Sequence, residues 1–563
     1  AEYSDGKIPG WADKDDNMNP WVMTTQSGYN ESWKNNIQTS LTLEQKLDFI
    51  TPGLSMNIKG AYNTNYNVKA SRTPSGADSM CTPIYLGSIE TPGMDFWDPR
   101  FDRTIVYQTD GVSGLHEQMS YGEEVGRGRN WYGEFSLNYS RSFGDHDVSA
   151  LFLYNQSKKY YPETKIDGKV FYVDIPTAYI GYVGRLTYAY KKRYMLDLNA
   201  GYNGSENFAD GHRFGFFPAF SLAWNIAEEK LVKKHLKWMN MFKLRYSYGK
   251  VGSDKLKIGD TVHRFPYLYT IKDDGNGWTW SDYGSPDNVY TGMHYTQLAS
   301  NNVTWEIATK HDAGVDLSLF NDKFTATVDY FHEQRDGIYM ERKYLPGIVG
   351  VNSNPKANVG SVRSKGFDGN FAYKQKIGKV NLTVRGNFTY SKNEILEKDE
   401  MNAVYPYQKE AGYRVNQAKG LIALGLFKDY DDIRNSPQQT NWGKVQPGDI
   451  KYKDLNNDHV INEDDQCKIG HPTRPSYTFG LNYGADYKGF FFSMNWTGAA
   501  ERSLLLEEFF RIPFGINSNN ALMQFHADNR WTPETAETAT VPRFATKTMT
   551  HNSKTSSLWV KNG

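Results

Sequence analysis

Long apolar runs are missing from this sequence. A membrane-crossing helix needs roughly 18–20 consecutive apolar residues, and the apolar stretches here, such as Leu504–Leu506 and Phe490–Phe492, are far shorter. Cysteine is nearly absent. Cys81 and Cys467 are the two among 563 residues, too few for a disulfide scaffold. Whether they pair is open from sequence; two separate thiols is the simpler expectation. An excess of one charge is also missing: 64 Lys plus Arg stand against 64 Asp plus Glu. That balance argues against nucleic acid as a partner, because a basic surplus is what phosphate backbones select. The first residues, Ala1-Glu2-Tyr3-Ser4-Asp5-Gly6, are polar and unlike a signal peptide.

Catalytic signatures are lacking too. The sequence has no His-Glu-x-x-His, Gly-x-Ser-x-Gly, P-loop or Cys-x-x-Cys, so no enzymatic role is expected. Glu123-Glu124 and Glu507-Glu508 are adjacent pairs. On a strand adjacent side chains point apart, whereas acid/base work on a glycosidic bond aims two carboxylates at one bond. Gly126-Arg127-Gly128-Arg129 lacks the strand-to-helix context of a dinucleotide site and reads as loop.

Aromatics and glycine are abundant: 14 Trp, 39 Tyr, 30 Phe and 50 Gly. Such a density of aromatics excludes a disordered chain. The main signal is alternation. Ile37, Thr39, Leu41, Leu43, Gln45 and Leu47 share one parity, with Gln38, Ser40, Thr42, Glu44 and Lys46 between them. A period of two places these sets on opposite faces of a sheet. After Thr51-Pro52-Gly53 the pattern resumes at Leu54, Met56 and Ile58. Six more hairpins follow, turning at Gly144-Asp145, Lys191–Arg193, Glu228–Lys237, Asn321–Lys323, Lys376–Lys379 and Lys488-Gly489. The charged stretch Glu228–Lys237 is expected to form a helical turn. Turns within hairpins are short, and links between them are long and polar, as at 63–130, 249–302 and 394–474. This is the layout of an outer-membrane barrel, whose strands of about 9–11 residues or slightly more cross a bilayer while tilted.

The fold class expected is therefore all-β, a large antiparallel transmembrane β-barrel with long extracellular loops. Strands are expected to run about 10–14 residues, roughly twice the soluble average, and 14 to 18 of them can be placed. Leu41, Leu43, Phe135, Leu137, Leu186, Leu196, Leu317, Val328 and Phe479 are predicted to share the lipid face. Tyr188, Tyr190 and Tyr194 near strand ends fit an aromatic girdle. The rival reading, a soluble β-sandwich, lacks a second sheet to cover the apolar face.

Several segments resemble the SusC/RagA-like TonB-dependent outer-membrane transporters. They include Phe217–Glu229, Leu244–Gly252, Asn358–Phe367, Pro447–Asp458, Ile469–Thr473, Asp528–Glu534 and Ser557–Gly563. They run in family order from about residue 200 onward, and Pro447–Asp458, continuing through Ile469–Thr473, is the most specific. The resemblance implies a 22-stranded barrel of the TonB-dependent type, an N-terminal plug and a segment that docks TonB. Nothing here resembles plug or docking segment, so residues 1–563 are expected to be part of one barrel domain, with plug and closing strands outside it. The resemblance further implies the cell outer membrane as location, a SusD-like surface lipoprotein as partner, and an oligosaccharide or a peptide as ligand. A passive porin or a structural, adhesive barrel is the alternative, and a secreted sugar-active β-enzyme a more distant one.

Two candidate sites stand out. Asp454, Asn456, Asp458, Val460, Asn462 and Asp465 occupy positions 1, 3, 5, 7, 9 and 12 of a calcium-loop spacing, in which oxygens wrap one hard cation. His459 replaces the turn glycine at position 6, and Asp465 replaces the bidentate Glu at position 12. Calcium or a similar divalent ion would brace the loop; an ordinary Asn/Asp-rich turn is the plainer reading. Trp278, Trp280 and Tyr283 in one link, and Trp97 in another, are the substrate-binding candidates, because aromatic faces stack on sugars and peptides. Packing of loop against loop would explain them equally.

Overall fold

A computed structural model describes residues 8–9, 28–74, 84–87, 106–108, 119–161, 165–166, 169–170, 175–279, 289–343, 348, 354–400, 403–439, 441–506, 508–513, 522–545 and 551–563. Fourteen strands form one antiparallel sheet in which every strand pairs with its sequence neighbours. They are β1 (Tyr29–Lys46), β2 (Leu54–Pro74), β3 (Met119–Phe143), β4 (His146–Tyr160), β5 (Thr177–Tyr190), β6 (Tyr194–Ser205) and β7 (Phe214–Asn225). β8 (Met239–Ser253), β9 (Glu306–Leu319), β10 (Phe324–Glu341), β11 (Lys356–Ile377), β12 (Val380–Glu397), β13 (Tyr477–Tyr487) and β14 (Phe490–Ala500) follow. All seven hairpins lie where alternation places them, and a helix, α1 (Lys230–His235), fills the charged link between β7 and β8. No described helix is long and apolar enough to cross a membrane.

Turn chemistry explains the tight connections. Gly144 and Gly378 open two-residue loops with φ of 61° and 60°, the sign a type II′ turn requires at its first central residue. Lys488 and Gly489 are both at positive φ, as in type I′. The register is staggered. Leu54 pairs with Tyr139, so Ser140–Phe143 project past the end of β2. Phe324 pairs with Tyr373, so Lys374–Ile377 project past the start of β10. Stagger of this kind tilts strands in a barrel.

Register also fixes the faces, because directly paired residues share a side. One row reads Val315, Val328, Gly369, Phe388, Phe479 and Gly498 across β9 to β14. Another reads Ala150, Leu186, Leu198, Phe220 and Tyr248 across β4 to β8. All nine residues predicted to share a face do so. The wall is a single layer, and its apolar side chains are uncovered: Leu41 is 76%, Phe479 52% and Phe490 81% exposed.

Strand length is where expectation and structure differ. The strands run from 11 residues in β13 to 25 in β3. β2 continues through Pro74 and β3 begins at Met119, so Gly126–Arg129 is strand, with Gly126 opposite Asn67 and Arg129 opposite Thr64. There Tyr66 and Val68 keep the apolar parity in β2, but on the same face Arg127 and Arg129 interrupt it in β3, so alternation fades in the second strand.

Buried cores lie in the loops. Phe208, Phe217, Leu256, Val303, Trp305 and Tyr339 form one cluster at the long-loop ends of β6 to β10. Leu421, Ile450, Tyr452, Ile461 and Trp559 form another, built from the link between β12 and β13 and from the chain after β14.

Candidate functional site

The face opposite the apolar rows carries the polar chemistry. A cavity of about 470 Å³ spans β3 to β8 near the short turns, lined by Ser149, Thr187, Asp197, Ser221 and Lys243 among others. A second, of about 320 Å³, is lined by Asn36, Gln38, Asn63, Asn65, Asn130 and Lys159. Charges on this face are largely matched. Arg185 Nη2 lies 2.6 Å from Asp197, and Lys310 and Arg335 both lie 3.2 Å from Glu333. Arg245 is the hub: it lies 2.8 Å from Asp329, 3.2 Å from Asp316 and 3.6 Å from Asp312. Arg245, Gly314 and Asp329 share one register row, so the guanidinium reaches across β9 where there is no side chain. A Cβ on Gly314 would meet Asp329 at 2.0 Å and the Arg245 guanidinium at 2.8 Å. The pairs of Arg185, Lys310 and Arg335, whose cations are about half exposed, contribute little stability; the Arg245 hub is more enclosed, and together the matched charges make a wetted wall without a strong charge trap.

The aromatic candidates are only partly placed. Trp278 belongs to a strand, Thr270–Thr279, that pairs with Val289–Gln297, and it stands opposite Tyr290. Its side chain, and Trp97, Trp280 and Tyr283 entirely, lie outside the described residues. The same is true of Cys81; Cys467 is a buried free thiol.

The Asp454–Asp465 segment is a tightly wound loop. Asp454 accepts backbone N–H bonds from Asn457 at 2.7 Å and His459 at 2.8 Å. Asp458 accepts from Val460 N–H, and Asn462 from Asp464 N–H. Asp465 is fully buried and accepts from Leu455 and Asn462 N–H, at 2.7 and 2.9 Å. His459, at position 6, has φ of 64°, the left-handed turn that glycine makes in calcium loops and that His adopts more readily than most residues. The amide of Asn456 faces Asp458, Nδ2 to Oδ2, at 2.8 Å. Among the described residues no three Asp, Glu, His or Cys side chains converge enough to hold a metal ion. The backbone and donor spacing fit a divalent ion; the side chains are drawn onto the loop's own N–H groups. Burial, followed by the Asp465 carboxylate beside it, pushes the Tyr407 phenol up to about 12.

A buried polar network lies alongside, centred on Asp449. Its carboxylate is fully buried, 2.9 Å from Arg543 Nε and 2.9 Å from His551 Nε2. It accepts from Gln446 N–H at 2.7 Å and Asn552 Nδ2 at 3.0 Å. Burial alone would raise its pKa; the His551 imidazole and these hydrogen bonds outweigh that and hold the carboxyl below its usual range. Asn552 Oδ1 accepts from Ile450 N–H, and its backbone carbonyl accepts from Trp559 Nε1. Sequence reasoning marked Pro447–Ile450 as a landmark but assigned it no role. The signal was an Asp beside apolar Ile450, yet its partners stand about a hundred residues away.

Comparison with known proteins agrees with this architecture. Residues 3–502 match the family described as TonB dependent receptor-like, beta-barrel. TonB-dependent receptor P3 of Formosa agariphila is 25% identical over 455 residues, covering 74% of this chain and 43% of that protein. TonB-dependent receptor SusC of Bacteroides thetaiotaomicron is 25% identical over 328 residues, covering 56% of this chain and 30% of SusC. The structure of the RagAB peptide transporter superimposes with a TM-score of 0.67 at 15% identity, over 97% of this chain and 55% of that one. The chain spans less than half the length of these curated relatives. With one apolar and one polar face running through fourteen successive strands, and with the family match covering most of its length, the chain belongs to the β-barrel family of TonB-dependent receptors.

Proposed function

We propose that this chain forms wall and outer loops of a TonB-dependent importer in the bacterial outer membrane. The observation that carries the reading is the separation of faces across fourteen strands: one side suits hydrocarbon, the other a water-filled lumen. Cargo is an oligosaccharide or a peptide, taken past the matched charges around Arg245 and Arg185. Gating belongs to a plug, and energy to contact with TonB, both outside these residues. A SusD-like lipoprotein covers the long-loop end, where the two buried clusters give it a firm seat. Uptake of labelled oligosaccharides and labelled peptides, in cells carrying the full-length gene, tests this. One class is expected to enter and to stop entering when TonB is deleted. Entry that persists without TonB would support a passive barrel instead.

The Asp454–Asp465 loop is proposed to take calcium as a brace. The positive φ at His459 and the six oxygen positions support this, since each carboxylate oxygen accepting one N–H keeps a second lone pair. Turning the Asn456 carboxamide would bring its oxygen to the ion. Calorimetry with Ca²⁺ should give a binding isotherm that Asp454→Ala plus Asp458→Ala abolishes; equal binding by both proteins would reject the site.

A further inference from the structure

The polar face of β1 to β4 differs from that of β8 to β10, where charges are matched. Gln38, Asn63, Asn130 and Lys159 form one register row across β1 to β4. Asn36, Asn65 and Gly128 form the next row outward on the same face. These residues line the cavity of about 320 Å³. Ile37, Leu41 and Leu43 have the other parity in β1, so the cavity opens on the lumen side. Among the described residues, none of the carboxamides of Asn36, Gln38, Asn63, Asn65 and Asn130 has a hydrogen-bond partner.

The lining decides what fits. A carboxamide offers an acceptor and two donors without net charge, and a hydroxyl, itself donor and acceptor, matches it. Gly128 leaves the wall bare where Asn65 reclines; a Cβ there would meet Asn65 Oδ1 at 2.2 Å. No carboxylate and no aromatic ring is among the described lining residues. Lys159 is exposed and makes no salt bridge among the described residues, unlike Lys310 and Arg185. Arg129 has the other parity, and its guanidinium lies 4.2 Å from the centre of the Tyr160 ring. The uncompensated charge on this cavity is therefore the single Lys159 ammonium.

From this we infer that the cavity binds a hydroxyl-rich chain bearing an anionic group, an acidic oligosaccharide. The carboxamides of Asn63, Asn65 and Asn130 take ring hydroxyls, and Lys159 Nζ takes the carboxylate or sulfate through a charge-assisted hydrogen bond. A peptide fits less well. Its main chain brings no hydroxyls, and a basic side chain would meet Lys159 with no carboxylate to answer it. The inference rests on the importer reading above and narrows its cargo to one class.

Calorimetric titration of the full-length protein in neutral detergent tests it, with hexagalacturonate, a sulfated κ-carrageenan hexasaccharide, maltohexaose and hexaglutamate as probes. One of the two acidic oligosaccharides should bind more tightly than maltohexaose and hexaglutamate, and which one does tells carboxylate from sulfate. K159Q should weaken that binding on the order of tenfold and reduce its sensitivity to salt, at unchanged heat-modifiable mobility. N63A/N130A should weaken it by a similar factor while keeping the salt sensitivity. Equal binding by wild type and K159Q, binding of maltohexaose or hexaglutamate as tight as that of the acidic oligosaccharides, or no binding of either acidic oligosaccharide overturns this assignment. TonB-dependent uptake of labelled peptides alongside any of these results would leave the importer reading standing; uptake that ignores TonB overturns that reading too.

Discussion

The wall and the loop module between β12 and the C-terminal segment solve opposite problems with one chain. In the wall, Phe490 and Phe491 are each 81% exposed and almost nothing is buried. In the module, Asp449 and Ile450 are fully buried and Tyr452 is 1% exposed. On the importer reading proposed above, lipid covers one face and paired strands satisfy the backbone, so the wall needs no core of its own. The module faces water, so it must build a core, and its irregular backbone must find partners within it. Side chains therefore do different work: alternate apolar residues in the wall, a buried ionic network in the module.

The largest expected effect would separate the two regions. Asp449→Ala leaves Arg543 and His551 facing each other without their carboxylate, which should cost about 3–5 kcal/mol. Limited proteolysis should then cut the module while the wall keeps its heat-modifiable gel mobility. Loss of both together would mean they are one cooperative unit. Next is Leu186→Arg, on the lipid-facing row, expected to cost about 2–4 kcal/mol. Wall assembly should fall; if the variant assembles as wild type does, that face does not meet hydrocarbon.

A pH titration probes the same contrast reversibly. The Asp449 carboxyl is held below its usual range, so its contribution is present above the unfolded value of about 3.9 and is lost as pH falls through the lower folded value. Trp559 packs in that core, so tryptophan fluorescence should shift in this acid window, and the shift should vanish in Asp449→Asn. The smallest effect is Gly314→Ala. It pushes Arg245 off Asp329 while Asp312 and Asp316 remain beside the guanidinium, so assembly should be unchanged while single-channel conductance of a plug-deleted barrel changes. Altered assembly would mean that the Arg245 hub is structural.

Legibility in the sequence follows the same division. Every hairpin of the wall was readable, because apolar residues at every second position report the face directly. The outer thirds of β2 and β3 were not, since Arg127, Arg129 and Glu123 interrupt in β3 the apolar parity that Tyr66 and Val68 keep in β2. The Arg245 hub was invisible because register between β8 and β9 crosses a long link. The calcium-type spacing was readable as a pattern, but the capture of Asp465 by Leu455 N–H is a packing outcome. The Asp449 network needed the distant 543–559 segment, which no local pattern connects to it.

That distance bears on the order of assembly. Ala423 N–H donates to Ser557 Oγ across 134 positions, spanning the β13–β14 hairpin, and Ser503–Leu505 pairs with Val560–Asn562, both segments lying beyond β14. Contacts so remote in sequence form slowly, because a long loop must close before any of them is rewarded. The module should therefore mature late, after the β13–β14 hairpin has been threaded between its two halves, and act as a clasp that records completed insertion.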